Sequence, residues 1–129
     1  MSKTIIFTEK APKPPLTTYS QGVKAGGLIF VAGQPPIDPV TGEVAGVTIQ
    51  EQTAQSLRNV QAILEAAGSS LDKAVSITFI IADLNEFKGM NEEWVKWFPK
   101  DPPARQGATL PLELLRKGMK ISIAMVAEA

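Results

Sequence analysis

Along the chain the spacing of hydrophobic positions switches between two and about 3.6 residues, and each switch marks a predicted element. "TIIFTE", residues 4–9, reads as a first strand, and the prolines and small polar residues of "KAPKPPLTTYSQG" predict an extended surface loop after it. "GLIFVAGQ", residues 27–34, is a compact apolar strand bounded by glycines. The proline-rich turn "PPIDPVTGEV" then leads into a predicted short strand at 43–46. Thr48 and Glu51 have capping-box spacing, and Leu57, Val60, Ile63, Leu64 and Ala67 recur at helical period up to Gly68. That pattern predicts an amphipathic helix over 49–67 with a glycine at its C-terminal cap.

"AVSITFIIADL" changes to period two, with Val75, Ile77, Phe79 and Ile81 on one face and Ser76, Thr78 and Ile80 on the other, which predicts a sheet strand. A second helix is predicted from near Asn85 to Pro99. Its stripe of Phe87, Met90, Trp94, Trp97 and Phe98 reads as core rather than as an aromatic binding box. Two late strands follow, "ARQGATL" and "MKISIAMVA", the latter setting Met119, Ile121, Ile123 and Met125 against Lys120, Ser122 and Ala124. The expected fold is a single α/β domain over residues 1–129, more strictly α+β, with a mixed sheet of about six strands and two helices on one face. Two helices cover only one face of such a sheet. The small residues and Ile80 on the other face therefore call for a partner, most simply another copy of the chain.

Composition narrows the chemistry more than the topology. The 129 residues suffice to remove roughly two-thirds of the unfolded surface from water. Lys plus Arg and Asp plus Glu are both 13, so no net field draws the chain to phosphates or anionic membrane, and nucleic acid is disfavoured as a partner. With no Cys and no His there is no thiolate, no imidazole base, no serine triad and no zinc site of the usual ligands, so no metal is expected. Any catalysis falls to Arg, Lys, Tyr, carboxylates, hydroxyls, backbone groups or water. No apolar run approaches the roughly 20 residues of a membrane span, and a cytoplasmic location is expected. Glycine-rich phosphate loops, paired-cysteine patterns and nucleophile elbows are absent from the sequence.

Within "DPPARQGATLP", Arg105 is the charge that invites a role. Its planar fork grips a carboxylate through two parallel hydrogen bonds, and Pro102 and Pro103 stiffen its approach. From composition alone a surface arginine or a structural ion pair is the simpler reading. Tyr19 in "TTYSQG" offers a hydroxyl or simply packs its loop. Gly33 in "VAGQPP" admits a ligand close to the backbone or serves a turn, and Asn91 beside the aromatic stripe binds a ligand or caps a loop.

Taken together these segments carry a resemblance. "APKPPLTTYSQG", "LIFVAGQPPIDPVTGEV", "QSLRNVQAILEAAGSSLDKAV", "IADLNEFKGMNEEW" and "PPARQGA" followed by "MKISIAMVA" are similar, in this order, to the successive blocks of the RidA/YjgF family of imine and enamine deaminases. The similarity covers essentially the whole chain. It implies a chorismate-mutase-like domain forming homotrimers with ligand clefts between subunits, and hydrolysis of 2-aminoacrylate and related imines to 2-oxo acids and ammonia without a cofactor. By the same resemblance Arg105 would clamp the substrate carboxylate. Tyr19 and Asn91 would stand in the cleft, and the backbone of Gly33 and Gly107 would approach the ligand.

The chain departs from the family pattern at several of these places. Gly107 stands where many members have cysteine, Ala32 where members often have serine, and "TTY" replaces "GPY". Active deaminases commonly read lysine-isoleucine-glutamate-isoleucine-glutamate in the last strand, whereas this chain reads "KISIA". Ser122 and Ala124 thus stand in place of the two glutamates. A serine hydroxyl holds a water but supplies no base near neutral pH. The segment "QGATLPLELLRKG" is also about two residues longer than the family pattern. Three readings follow: a deaminase acting through Arg105, Tyr19, bound water and Ser122; a trimeric small-carboxylate-binding protein that no longer catalyses; and a ribonuclease or translation inhibitor.

Overall fold

The computed structural model describes residues 2–14, 17–111 and 114–129. Met1, Pro15 and Leu16 of the predicted loop, and Leu112 and Glu113 of the lengthened segment, lie outside the described residues. Six strands form one sheet: β1 (Thr4–Ile6), β2 (Gly22–Ala25), β3 (Leu28–Gln34), β4 (Ala74–Ile81), β5 (Ala104–Thr109) and β6 (Ile121–Glu128). Their order is β1-β2-β3-β6-β4-β5. β4 and β5 run parallel, and the other neighbouring pairs are antiparallel. Helices α1 (Ile49–Ala66) and α2 (Phe87–Trp97) complete the α+β fold expected from the sequence.

The sheet has the expected number of strands but one of them lies elsewhere. β2 and β3 form a hairpin in which Ala25 pairs with Leu28 across Gly26 and Gly27, at φ 60° and 79°. A two-residue turn with both φ positive matches the twist of the strands it joins, and only glycine takes it without strain. The strand predicted at 43–46 shrinks to a single bridge between Ile37 and Val44, because Pro35, Pro36 and Pro39 have no N–H to extend a ladder. β1 ends at Ile6 instead of Glu9, since the Thr8 N–H donates to the Gln21 side chain at 2.8 Å rather than to a strand.

Val75 also departs from its predicted face. The register of β4 on β6 shifts between Ala74 and Ser76, so the bulge turns Val75 outward and leaves it 44% exposed, while Ile77, Phe79 and Ile81 stay buried. α1 begins as predicted: the Glu51 N–H donates to Thr48 Oγ1 at 3.1 Å, and Glu51 Oε1 accepts from the Thr48 N–H at 3.0 Å. It ends with Ser69 N–H on Leu64 O and Gly68 N–H on Glu65 O, Gly68 taking the left-handed conformation. α2 starts at Phe87, after a 3-10 turn at Leu84–Glu86 whose Asn85 N–H is held by Asp83.

Both helices pack on one face of the sheet. Ile77, Phe79, Ile121, Ile123 and Met125 from the sheet meet Leu57, Val60, Ile63, Met90 and Trp94 from the helices in one buried core. Each such side chain contributes about 1.5–3 kcal/mol by leaving water. The opposite face carries rows set by the register: Ile5, Val23, Phe30, Val126, Ser76 and Ala104 in one, Ser122, Ile80 and Ala108 in another. Ile5 and Phe30 are 53% and 44% exposed there.

Candidate functional site

Arg105 stands on β5, the edge strand, in register with Ile77 on β4, so its side chain emerges on the helix side of the sheet. There it meets α2. Arg105 Nη1 donates to Asn91 Oδ1 at 2.7 Å, and the guanidinium carbon lies 5.1, 5.4 and 4.9 Å from the ring centres of Phe79, Phe87 and Trp94. A cation over aromatic faces is attracted by their quadrupoles, and more strongly where water is displaced. Partial burial against the rings lowers the Arg105 pKa from the ordinary guanidinium value, yet an arginine remains charged throughout the physiological range. Among the described residues no carboxylate stands within ion-pair distance of it. A fixed cation with donors to spare is equipped to receive an anion.

Gly107 lies next on the same side of β5, directly beside Phe79. A Cβ there would fall 1.9 Å from the Phe79 ring, so the glycine makes room for that ring. Asn91, Arg105 and Gly107 therefore form one group at the β5–α2 edge.

Tyr19, Gly33 and Ser122 form another. They line a half-open cleft of about 930 Å³ together with Gln34, Met119 and Arg116, flanked by the segments around residues 9–13 and 35–42. Gly33 leaves the space that Ser122 needs, since a Cβ on Gly33 would stand 2.9 Å from Ser122 Oγ. Ser122 alternates with the buried Ile121 and Ile123, so it faces away from the helices, on the side opposite Arg105. Arg105, Asn91 and Gly107 do not line this cleft. Within this chain the six residues singled out in the sequence fall into two groups, one on each side of the sheet.

Residues that no sequence pattern singled out hold the cleft walls. Gln21 Nε2 donates to the carbonyls of Thr8, Ala11 and Pro12 at 3.0, 3.3 and 2.9 Å, tying down the strap that precedes Tyr19. Asn59 Nδ2 donates to Pro35 O and Ile37 O at 3.0 and 2.9 Å. Gln52 Nε2 donates to Gly118 O at 2.8 Å while its Oε1 accepts from the Lys120 N–H at 2.8 Å, fixing the approach to Ser122. Arg116 donates to Gly42 O at 3.0 Å and to Glu43 Oε2 at 3.3 Å, joining the β5–β6 connection to the 38–43 turn. Proline-rich segments have carbonyls without matching N–H groups, and buried carboxamides supply the donors. For Gln52 and Asn59 the signal is a polar residue on the buried face of α1, which periodicity alone does not tell from a solvated one, and Gln21 and Arg116 lie outside the helices, where no such pattern marks them.

Among the described residues no cluster of His, Cys, Asp or Glu is arranged to hold a metal ion, and no helix is long and apolar enough to cross a membrane.

Comparison with known proteins agrees with this architecture. The family model described as Endoribonuclease L-PSP matches residues 8–129. A RutC family protein of Pyrococcus abyssi is 49% identical over 89% of this chain and 92% of its own. Reactive Intermediate Deaminase A of Arabidopsis thaliana, a chloroplast protein, is 41% identical over 87% of this chain and 61% of its own. The crystal structure of Escherichia coli TdcF with bound serine superposes with a TM-score of 0.88 at 36% identity, covering 98% of each chain. The chain belongs to the RidA/YjgF family, the family of the Endoribonuclease L-PSP model.

Proposed function

We propose that this chain, as a single domain over residues 1–129, is a cytoplasmic deaminase that hydrolyses imines and enamines bearing a carboxylate, such as 2-aminoacrylate, to 2-oxo acids and ammonia. The observation that carries the reading is Arg105: a cation fixed by Asn91 and three rings, with no carboxylate of the described residues to neutralise it. The relative named Reactive Intermediate Deaminase A and the neighbour that holds serine, a small molecule with a carboxylate, support it.

The two groups, read as half-sites, support an assembly. The uncovered sheet face suits a second copy, and the reading makes the protein a homotrimer in which Arg105, Asn91 and Gly107 of one subunit meet Tyr19, Gly33 and Ser122 of the next. Arg105 takes the carboxylate, and Tyr19 with the backbone at Gly33 and Gly107 orients the C=N unit. The enamine tautomerises to the imine, a water held by Ser122 adds to its carbon, and the carbinolamine expels ammonia as the C=O forms. No cofactor enters, because the C=N carbon is itself the electrophile. Imines of this kind already hydrolyse in water, so orientation and dipoles aimed at the developing charge suffice for acceleration.

The test is pyruvate release from 2-aminoacrylate generated in situ, coupled to lactate dehydrogenase. The protein is expected to accelerate it and Arg105→Ala to remove the acceleration. An Arg105→Ala assembly that works as well as the parent refutes the reading. Ser122 and Ala124 in place of acidic residues favour a second reading, a trimer that binds small carboxylates without turning them over. It predicts saturable binding of 2-oxobutyrate, lost in Arg105→Ala, with no acceleration. The endoribonuclease reading draws on the description of the family model, and zero net charge with no histidine leaves it third.

A further inference from the structure

The proposal that follows rests on Arg105 as the carboxylate clamp. We propose that Phe79 is the positioning residue for that clamp, and that residue 107 is glycine so that the Phe79 ring can lie beside the guanidinium.

The parallel register of β4 and β5 places Ile77 beside Arg105 and Phe79 beside Gly107. A Cβ at 107 would meet three atoms of the Phe79 ring at 1.9, 2.2 and 2.3 Å, which means that the ring lies across the β5 backbone in the space a side chain there would fill. These are not the contacts of a flexible chain end. Phe79 is 7% exposed, and its ring stacks on Phe87 at 5.8 Å and meets the edge of Trp94 at 6.1 Å, so it has no free direction in which to retreat. From this position the ring centre stands 5.1 Å from the Arg105 guanidinium carbon. Phe79 is the residue that links the Phe87 and Trp94 rings to one another and to the strand that carries the arginine.

Two constraints then hold the guanidinium. Asn91 takes one N–H, and the rings bound the fork on the protein side while the residue stays open to solvent on the other. Hydrogen bonds from a partly desolvated, preorganised cation to an anion gain strength and lose less side-chain entropy. Any side chain at 107 displaces the ring and with it one wall of the arginine's seat. The glycine at 107 is thus coupled to a phenylalanine on the neighbouring strand.

The experiment compares Phe79→Leu, Gly107→Ala, the double variant and Arg105→Ala for 2-oxobutyrate affinity, for KM and kcat with 2-aminoacrylate, and for the Arg105 Nε–H resonance by nitrogen-proton NMR. Ring currents should shift that resonance upfield in the parent. Each single variant should return it toward the ordinary arginine position and weaken binding roughly tenfold, raising KM more than it lowers kcat. In the Phe79→Leu background Gly107→Ala should cost nothing further, because leucine leaves room for the methyl group. An unshifted Nε–H in the parent, single variants that bind like the parent, or losses that multiply in the double variant each overturn the inference. If Phe79→Leu does not fold, the parent resonance and Gly107→Ala still decide it. Binding that survives Arg105→Ala overturns the clamp itself. Binding lost in Arg105→Ala but intact in folded Phe79→Leu and Gly107→Ala overturns the role of Phe79 alone.

Discussion

Asn91 Oδ1 accepts a 2.7 Å hydrogen bond from Arg105 Nη1, joining the edge strand to the second helix. Asn91→Ala should leave the fold intact and let the guanidinium swing, lowering 2-oxobutyrate affinity about three- to tenfold. Asn91→Asp should lower it further by giving Arg105 an internal counter-ion. Calorimetric titration of the three proteins checks the order, and equal affinities would show that the bond does not position the clamp.

Gln21 fixes the strap before Tyr19 through three donated bonds and one accepted. Gln21→Ala strands the Ala11 carbonyl and opens a cavity, at a cost of about 1–3 kcal/mol. The urea midpoint should fall accordingly, and deamination should fall with it even at concentrations where the variant is folded.

The Glu51 carboxylate sits below the usual carboxylate pKa, mainly because it accepts the Thr48 N–H, then because it accepts the Val47 N–H. A depressed folded pKa stabilises above the unfolded carboxylate pKa, and the contribution is lost as pH falls through the folded value. The parent should therefore exceed Glu51→Gln in stability at pH 7, and the gap should close on acidification. Urea denaturation of both from pH 7 downward checks it, and a gap that widened in acid would contradict the capping account.

Phe30 lies exposed in the apolar row of the uncovered face. Phe30→Glu should place a charge in the interface proposed there, converting the assembly to monomers in sedimentation velocity and abolishing deamination although every residue assigned to the site is retained.

Much of this was legible in the sequence. The capping box of Thr48 and Glu51, the apolar stripes of both helices and the alternation of β6 fixed their elements, because each pattern has one period and one face to bury. The hairpin of β2 and β3 was missed because Gly26 and Gly27 read as the boundary of one strand rather than as the turn between two. Val75 was misplaced because a bulge leaves no mark in alternation. The candidate site was legible as residue types in order, yet its division was not. Which side of the sheet Arg105 and Ser122 face depends on register across strands far apart in the chain, and the amides of Gln21, Gln52 and Asn59 do their work through carbonyls that no local pattern reveals.

The division of the site is the central claim, and mixed oligomers test it most directly. Arg105→Ala disables one half-site, and Gly33→Leu disables the other by pressing on Ser122. Each homo-oligomer should be inactive toward 2-aminoacrylate. Co-expressed with different tags and purified through both, the mixed trimers should regain activity, since a subunit with an intact Arg105 meets one with an intact cavity; in a ring of either composition about a third of the sites would be restored. Mixed trimers that stay as inactive as their parents would contradict a site built from two subunits.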